Sequence, residues 1–204
     1  MAAHILRHAL IDRIFHWLTA ACVLVLMATA FLPILGIKFS WVTIHWATGV
    51  VLGIAVLIHV VRALVFQRAT AIWVSPRDLG EGLSNLKAAL SPAGRAIKPG
   101  KYSLAQKSMH LLVTILILAV LVTGGLMMVR VDTPFWERNP YWLTEAQWGT
   151  VYVLHGLAAL TLVTTIMLHI YFALRPEKLC YTRSMIKGWL TESEREKNHD
   201  IQRW

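Results

Sequence analysis

The chain has 204 residues, of which 56% are hydrophobic and 15% charged, and its mean hydropathy is +0.55. A soluble domain carries about 25% charged residues, so this composition excludes a water-soluble globule, and with it a disulfide scaffold, a disordered tail or a nucleic-acid module. The net charge of +9 therefore reports orientation in a bilayer before it reports partners.

In chain order, four apolar stretches reach membrane length. Helix I is predicted over about residues 11–35, helix II over 42–66, helix III over 108–129 and helix IV over 150–174. Each holds about 20 residues or more, enough for a hydrocarbon core of roughly 30 Å at 1.5 Å per residue. The runs show no period-2 alternation, so strands are not expected. Helix I is too long for a secretory h-region, and no small-residue cleavage site precedes a soluble domain. A long loop, 67–107, joins helices II and III. Within it Leu79, Leu83, Leu86 and Leu90 recur at helical spacing, which predicts a short amphipathic helix over Asp78 to Leu90, lying on the membrane surface. A basic tail, 175–204, follows helix IV. The expected fold is an all-α membrane protein, a single four-transmembrane-helix bundle over residues 1–204.

Lysine and arginine set the orientation. Arg7 and Arg13 stand before or at the entrance of helix I. The long loop holds Arg68, Arg77, Lys87, Arg95, Lys98, Lys101 and Lys107, and the tail holds Arg175, Lys178, Arg183, Lys187, Arg195, Lys197 and Arg203. The opposite loops carry Lys38, Arg130 and Arg138, the last two beside Asp132, Glu137 and Glu145. The positive-inside rule puts both termini and the long loop in the cytoplasm. Trp41, Trp46, Trp136, Trp142 and Trp148 mark the other face as an interfacial aromatic belt. The basic residues are thus orientation signals, with no nucleic-acid partner expected.

Nine histidines are present: His4, His8, His16, His45, His59, His110, His155, His169 and His199. Six fall within the predicted spans, where ionisable side chains are costly and functional by default. His155 and His169 are fourteen residues apart on helix IV, and His45 and His59 repeat that spacing on helix II. Fourteen residues rise about 21 Å and return to within about 40° of the same face. Two depths on one face suit two stacked prosthetic groups, and imidazoles on both sides of a planar macrocycle give bis-histidine haem ligation. With only Cys22 and Cys180 in the chain there is no C-x-x-C-H attachment, so two b-type haems are expected. At the outer level only His45 and His155 are available as ligands. At the inner level His16, His59, His110 and His169 all qualify, and geometry alone does not choose. His169 with His59 would copy the cytochrome b of quinol:cytochrome c oxidoreductase; His169 with His16 would bring in helix I. Gly49, Gly53, Gly124, Gly125 and Gly156 allow a backbone or a flat cofactor to approach. Arg13 and Arg62, near the inner level, suit haem propionates, as a guanidinium suits a carboxylate, or else snorkel to the interface as topology markers. His4 and His8 are expected to have no metal role, and His199, in a charged tail, to be solvated.

Several motifs follow one another in order. Asp12-Arg13-x-x-His16-Trp17 opens helix I and Ile44-His45-x-x-x-Gly49 opens helix II. Gly100-Lys101-Tyr102-x-x-x-Gln106-Lys107 precedes helix III, and Val122-Thr123-Gly124 lies within it. His155, then Leu168-His169-Ile170-Tyr171, then Ser184-Met185-Ile186-Lys187-Gly188 complete the series. From about Asp12 to Leu190 the sequence resembles the cytochrome b (gamma) subunit of membrane-bound respiratory formate dehydrogenases. The resemblance implies that His16 and His169 ligate the cytoplasmic-side haem, and His45 and His155 the periplasmic-side haem. It gives His59 no ligand role, leaving it and His110 as neighbours of the inner site. It also implies a quinone site (menaquinone or ubiquinone) beside the inner haem, with Ser103, Gln106 and Lys107 as contacts. Ser103 and Ala105 depart there from the family's Asn and Gly.

The resemblance further implies a place in the bacterial cytoplasmic (inner) membrane and an electron-transfer role. Electrons would come from an iron–sulfur subunit and leave on quinone, and formate oxidation would belong to a molybdenum or tungsten subunit. Arg183 and Lys187 are expected to meet the iron–sulfur subunit. The nearest alternative is the cytochrome b subunit of a membrane hydrogenase or a thiosulfate/polysulfide reductase. A haem-free transporter would use the histidines as proton relays. A di-iron oxygenase or desaturase needs clustered histidines, which the fourteen-residue spacing argues against.

Overall fold

The computed structural model describes residues 3–66, 72–91 and 95–204; Arg68 lies outside them. Four helices, α1 (Leu10–Phe31), α2 (Trp41–Phe66), α4 (Leu104–Met127) and α5 (Glu145–Leu174), are long and apolar enough to cross a membrane, and the chain is a multi-pass membrane protein. Helix α3 (Pro76–Ala89) lies between α2 and α4, and α6 (Leu179–Lys187) and α7 (Glu192–Asn198) follow α5.

Reciprocal caps fix where several of these helices begin. Ser75 and Asp78 open α3, Ser103 and Gln106 open α4, Thr144 and Gln147 open α5, and Thr191 and Glu194 open α7. In each, the hydroxyl accepts from the backbone N–H three residues on, and the side chain there accepts from the cap's own N–H. These polar boxes start α4 and α5 earlier than hydropathy alone places them. At its other end α1 stops at Phe31, short of the predicted residue 35. Pro33 lacks the N–H a helix needs, and Gly36 turns the chain at a φ of 86°.

The contacts of the chain gather into two compact units. One comprises Ile14–Val65 and Val113–Leu168. Its core is a single cluster of Cys22, Val23, Leu52, Leu116, Ile117 and Leu162, flanked by Leu26, Val56, Leu121 and Ala158. All four long helices contribute, and their other faces are also apolar: Leu57, Val122 and Leu157 are exposed, as lipid-facing side chains are. Trp148 departs from the expected aromatic belt. It is fully buried, its indole N–H donates to the Pro140 carbonyl at 2.9 Å, and the Arg130 guanidinium lies 5.3 Å from its ring centre. A tryptophan that finds both an acceptor and a cation inside the fold has no need of the interface.

The other unit comprises residues 1–13, Phe66–Leu112 and His169–Trp204. Strand β1 (His4–Leu6) pairs antiparallel with β2 (Trp189–Thr191), in the register His4↔Thr191, Ile5↔Leu190, Leu6↔Trp189. These strands lie outside the apolar runs in which alternation is lacking. Helix α3 is held by its polar side: Asp78 binds Lys107 Nζ at 2.8 and 2.9 Å, Glu81 pairs with Arg203, and Asn85 exchanges hydrogen bonds with Ile97. Its leucines, Leu79, Leu83, Leu86 and Leu90, are left exposed, so the predicted amphipathic helix is present. Gly82 packs against Leu104, whose end methyl a Cβ at that position would displace. Arg183 turns inward, pairing with Glu194 and lying 4.7 Å from the Trp189 ring centre, so its charge is spent inside the unit.

His199 overturns the expectation of a solvated tail residue: it is 2% exposed. Its Nδ1–H donates to the Gly100 carbonyl at 2.6 Å, which leaves Nε2 to accept from Arg7 Nη1 at 3.0 Å and from the Tyr181 hydroxyl at 3.1 Å. Arg7 is equally hidden, among the rings of Tyr102, Tyr181 and Trp204, and donates to the Lys101 carbonyl at 3.0 Å. Charge density along the tail concealed this, because aromatic residues and backbone carbonyls, not counter-ions, receive the two side chains.

Burial, with the adjacent Arg7 charge, pushes the His199 imidazole from its ordinary 6.5 down to about 4. The fold therefore requires the neutral ring. Above about pH 6.5 this unit has its full stability; as pH falls from there through 4 the unfolded chain takes the proton first, and up to about 3 kcal/mol is lost. Amide exchange in β2 and α7, corrected for its intrinsic pH dependence, should lose protection over that window. His199→Asn, which does not titrate, should be less protected at pH 7 and show a flatter profile.

Candidate functional site

His45 lies one turn into α2, and His155 lies in the first half of α5; both belong to the first unit described. Both are half-buried, and their ring centres are 6.4 Å apart with planes crossing at 69°. Each ring is met by a buried threonine from a different helix. Thr29 Oγ1, on α1, is 2.8 Å from His45 Nδ1; Thr123 Oγ1, on α4, is 2.8 Å from His155 Nδ1. The threonine hydroxyls are themselves directed at helix carbonyls one turn back, Val25 at 2.8 Å and Ala119 at 2.6 Å. A hydroxyl has one proton, and in a helix it goes to the carbonyl four residues earlier. Oγ1 is then the acceptor for Nδ1–H, and the lone pair of each imidazole is on Nε2.

These residues fit a flat iron macrocycle held from both sides. Metal–imidazole bonds of about 2 Å on opposite faces of one metal put the ring centres roughly 6 Å apart, close to the separation found. Gly124 belongs to the same site: a Cβ there would stand 3.2 Å from His155 Cε1, tighter than ordinary packing, so the missing side chain makes room for the His155 ring.

The other predicted residues are placed as follows. His16 is half-buried with its ring edge-on to Trp17 at 5.1 Å, and His59 stacks flat on Phe15, with centres 4.0 Å apart. His110 and His169 are exposed, on α4 and α5. Arg13 donates to the Ile186 carbonyl at 2.5 Å, at the end of α6, and Arg62 is half-buried on α2. Ser103 and Gln106 form the cap of α4, and Lys107 is bound to Asp78. Among the described residues no three His, Cys, Asp or Glu side chains gather where they could hold a metal ion, as a di-iron oxygenase would require.

A family model described as prokaryotic cytochrome b561 matches residues 7–188. The chain belongs to the prokaryotic cytochrome b561 family. Among curated proteins it is similar to the formate dehydrogenase cytochrome b556(fdo) subunit from three strains of Escherichia coli. Identity is 25% over 217 residues, covering 98% of this chain and 91% of each relative. A cytochrome b holds its haem without covalent links, so histidine placement bears the whole task of ligation.

Sequence reasoning missed the partners of these histidines. Thr123 lies in the quoted Val122-Thr123-Gly124 motif, but Thr29 stands sixteen residues before His45 on another helix, and nothing local singles it out. The crowding at Gly124 is directly testable in this cytochrome b. Gly124→Ala should displace the His155 ring by a few tenths of an ångström and leave most b-type absorption in place, whereas Gly124→Val should deplete the reduced-minus-oxidised b band.

Proposed function

We propose that this chain is the membrane electron-transfer subunit of a formate dehydrogenase complex. In this reading it lies in the bacterial cytoplasmic membrane with both termini cytoplasmic, and connects an iron–sulfur partner at the outer face to quinone at the inner face. The observation that carries the reading is the pair His45 and His155, with ring centres 6.4 Å apart and each Nδ1 2.8 Å from a buried threonine hydroxyl. The near-complete coverage of the formate dehydrogenase cytochrome b relatives supports the choice of complex, and the basic loop and tail support the orientation.

His45 and His155 ligate the outer haem, and the family resemblance of the sequence supports His16 and His169 as the inner pair. When bound, the two haems pass single electrons between the outer face and the quinone. The spanning helices carry carboxylates only at Asp12 and Glu145, near helix ends, so the interior of the spans offers no acidic proton path. Protons for quinone reduction then come from the cytoplasmic side, while substrate oxidation on a molybdenum or tungsten partner releases protons outside. Arg13 and Arg62 serve the inner propionates.

At the quinone, Gln106 has two separable duties. Its Oε1 caps α4, and its Nε2 amide is the donor for a quinone carbonyl, with Ser103 and Lys107 beside it. Gln106→Glu keeps the cap and removes the donor. It should leave haem content unchanged and raise the quinone KM several-fold, the equivalent of about 1 kcal/mol for one hydrogen bond. Gln106→Ala should also lower stability.

The decisive measurement is the reduced-minus-oxidised spectrum with haem quantitation, in which two b haems per chain are expected. His155→Ala and His45→Ala should each remove the outer one. His16→Ala should remove the inner one and His59→Ala should not; the reverse would transfer the inner ligand to His59. A haem-free transporter would show no Soret band. Co-purification of a hydrogenase or thiosulfate reductase subunit in place of a formate dehydrogenase would reassign the electron donor.

A further inference from the structure

We infer that Thr29 and Thr123 are positioning residues that hold the outer ligand pair as neutral, oriented imidazoles and so set the midpoint potential of the outer haem. This rests on the reading of His45 and His155 as that haem's ligands.

The two arrangements match although they come from unrelated stretches of sequence. Each uses a helix that supplies no outer ligand, α1 or α4. Each places a buried threonine, 3% exposed at Thr29 and 8% at Thr123, at 2.8 Å from a ligand Nδ1. Each hydroxyl proton is taken up by a helix carbonyl, which polarises the oxygen as an acceptor. The carbonyl bond by itself does not explain this. Thr161 and Thr164 on α5 make the same bond to Leu157 and Leu160 at 2.8 and 3.2 Å, yet are exposed. Thr29 and Thr123 are the hydroxyls turned inward onto imidazoles.

The partner of the distal ring nitrogen fixes a histidine ligand's tautomer and orientation and tunes its basicity. A carboxylate there would draw the proton strongly, give the ligand imidazolate character and favour ferric iron. A hydroxyl draws it less, and an apolar neighbour not at all. The spans place no carboxylate at this depth, because their acids are Asp12 and Glu145. Two neutral acceptors therefore set the donor strength of both ligands, at the haem that receives electrons first. Threonine suits the role because its β-branch restricts χ1 within a helix, so the hydroxyl is aimed before the cofactor arrives.

The test is a spectroscopic redox titration of the purified protein with EPR of the low-spin ferric state. Thr29→Val and Thr123→Val keep the shape and remove the acceptor. Each should retain the outer haem, move its midpoint to a more positive potential and alter its ferric EPR signature, with the inner midpoint unchanged. The two shifts should add in the double variant. Thr→Ser at either position should restore the native midpoint, and Thr161→Val should leave both haems unaltered. Native midpoints and EPR signatures in both valine variants would overturn the inference. So would loss of the outer haem in serine and valine variants alike, which would mean that the site needs the threonine's shape and not its oxygen. Failure of the underlying reading is separate: it shows as absent b-type absorption in the wild-type protein, or as both haems persisting in His45→Ala.

Discussion

An imidazole placed in hydrocarbon has one nitrogen to give to a metal and one that must be satisfied without water. That second nitrogen organises the surroundings of His45 and His155. Leaving a buried polar group unpaired costs about 1–3 kcal/mol, and the lipid-exposed faces of these helices offer nothing to pair with it. Thr29 and Thr123 meet the requirement from the neighbouring helices, and in doing so they dictate how close α1 must come to α2 and α4 to α5 at that depth. Gly124 follows as a steric consequence, since the threonine that holds His155 sits on the adjacent residue and brings the α4 backbone against the ring. Imidazole, acceptor and glycine thus form one device.

The sequence disclosed the parts of this device that have a period. Hydropathy located four spans and put His45 and His155 at one level, each near the start of its own, while the fourteen-residue spacing gave each of those helices a second histidine near the same face. Partners across helices have no such period. Thr29 is one hydroxyl among several in the spans, and only the packing of α1 on α2 selects it. Helix ends escape a hydropathy reading for a related reason. The capping boxes at Ser103 and Thr144 are polar and lie outside the apolar runs, so a reading based on apolar length begins α4 and α5 too late.

The same limit explains His199 and Trp148. Their sequence neighbours, a charged tail and an outer aromatic belt, point to exposure, and both are buried by groups outside those neighbourhoods: Gly100, Arg7 and Tyr181 around His199, Pro140 and Arg130 around Trp148. Local composition predicts exposure well when a segment has no long-range partner. Here the N-terminal residues supply one, since β1 pairs with β2 and Arg7 inserts beneath the tail.

That pairing also bears on topology, independently of charge. Residues 4–6 and 189–191 share one antiparallel ladder, so the segments before α1 and after α5 occupy the same side of any membrane the helices cross. Only an even number of crossings permits this, and four helices of sufficient length are present. An error in one span would break the agreement: losing or gaining a crossing would pull β1 and β2 to opposite faces. The ladder fixes only that the termini share a side. Which side they share is a separate matter, and there the concentration of lysine and arginine in the loop and tail carries the argument. The buried Arg7 is the exception that separates the two lines of reasoning. It counts toward the basic side, yet its charge is held by Tyr102, Tyr181, Trp204 and a neutral His199, so its contribution is to fasten the two terminal segments together.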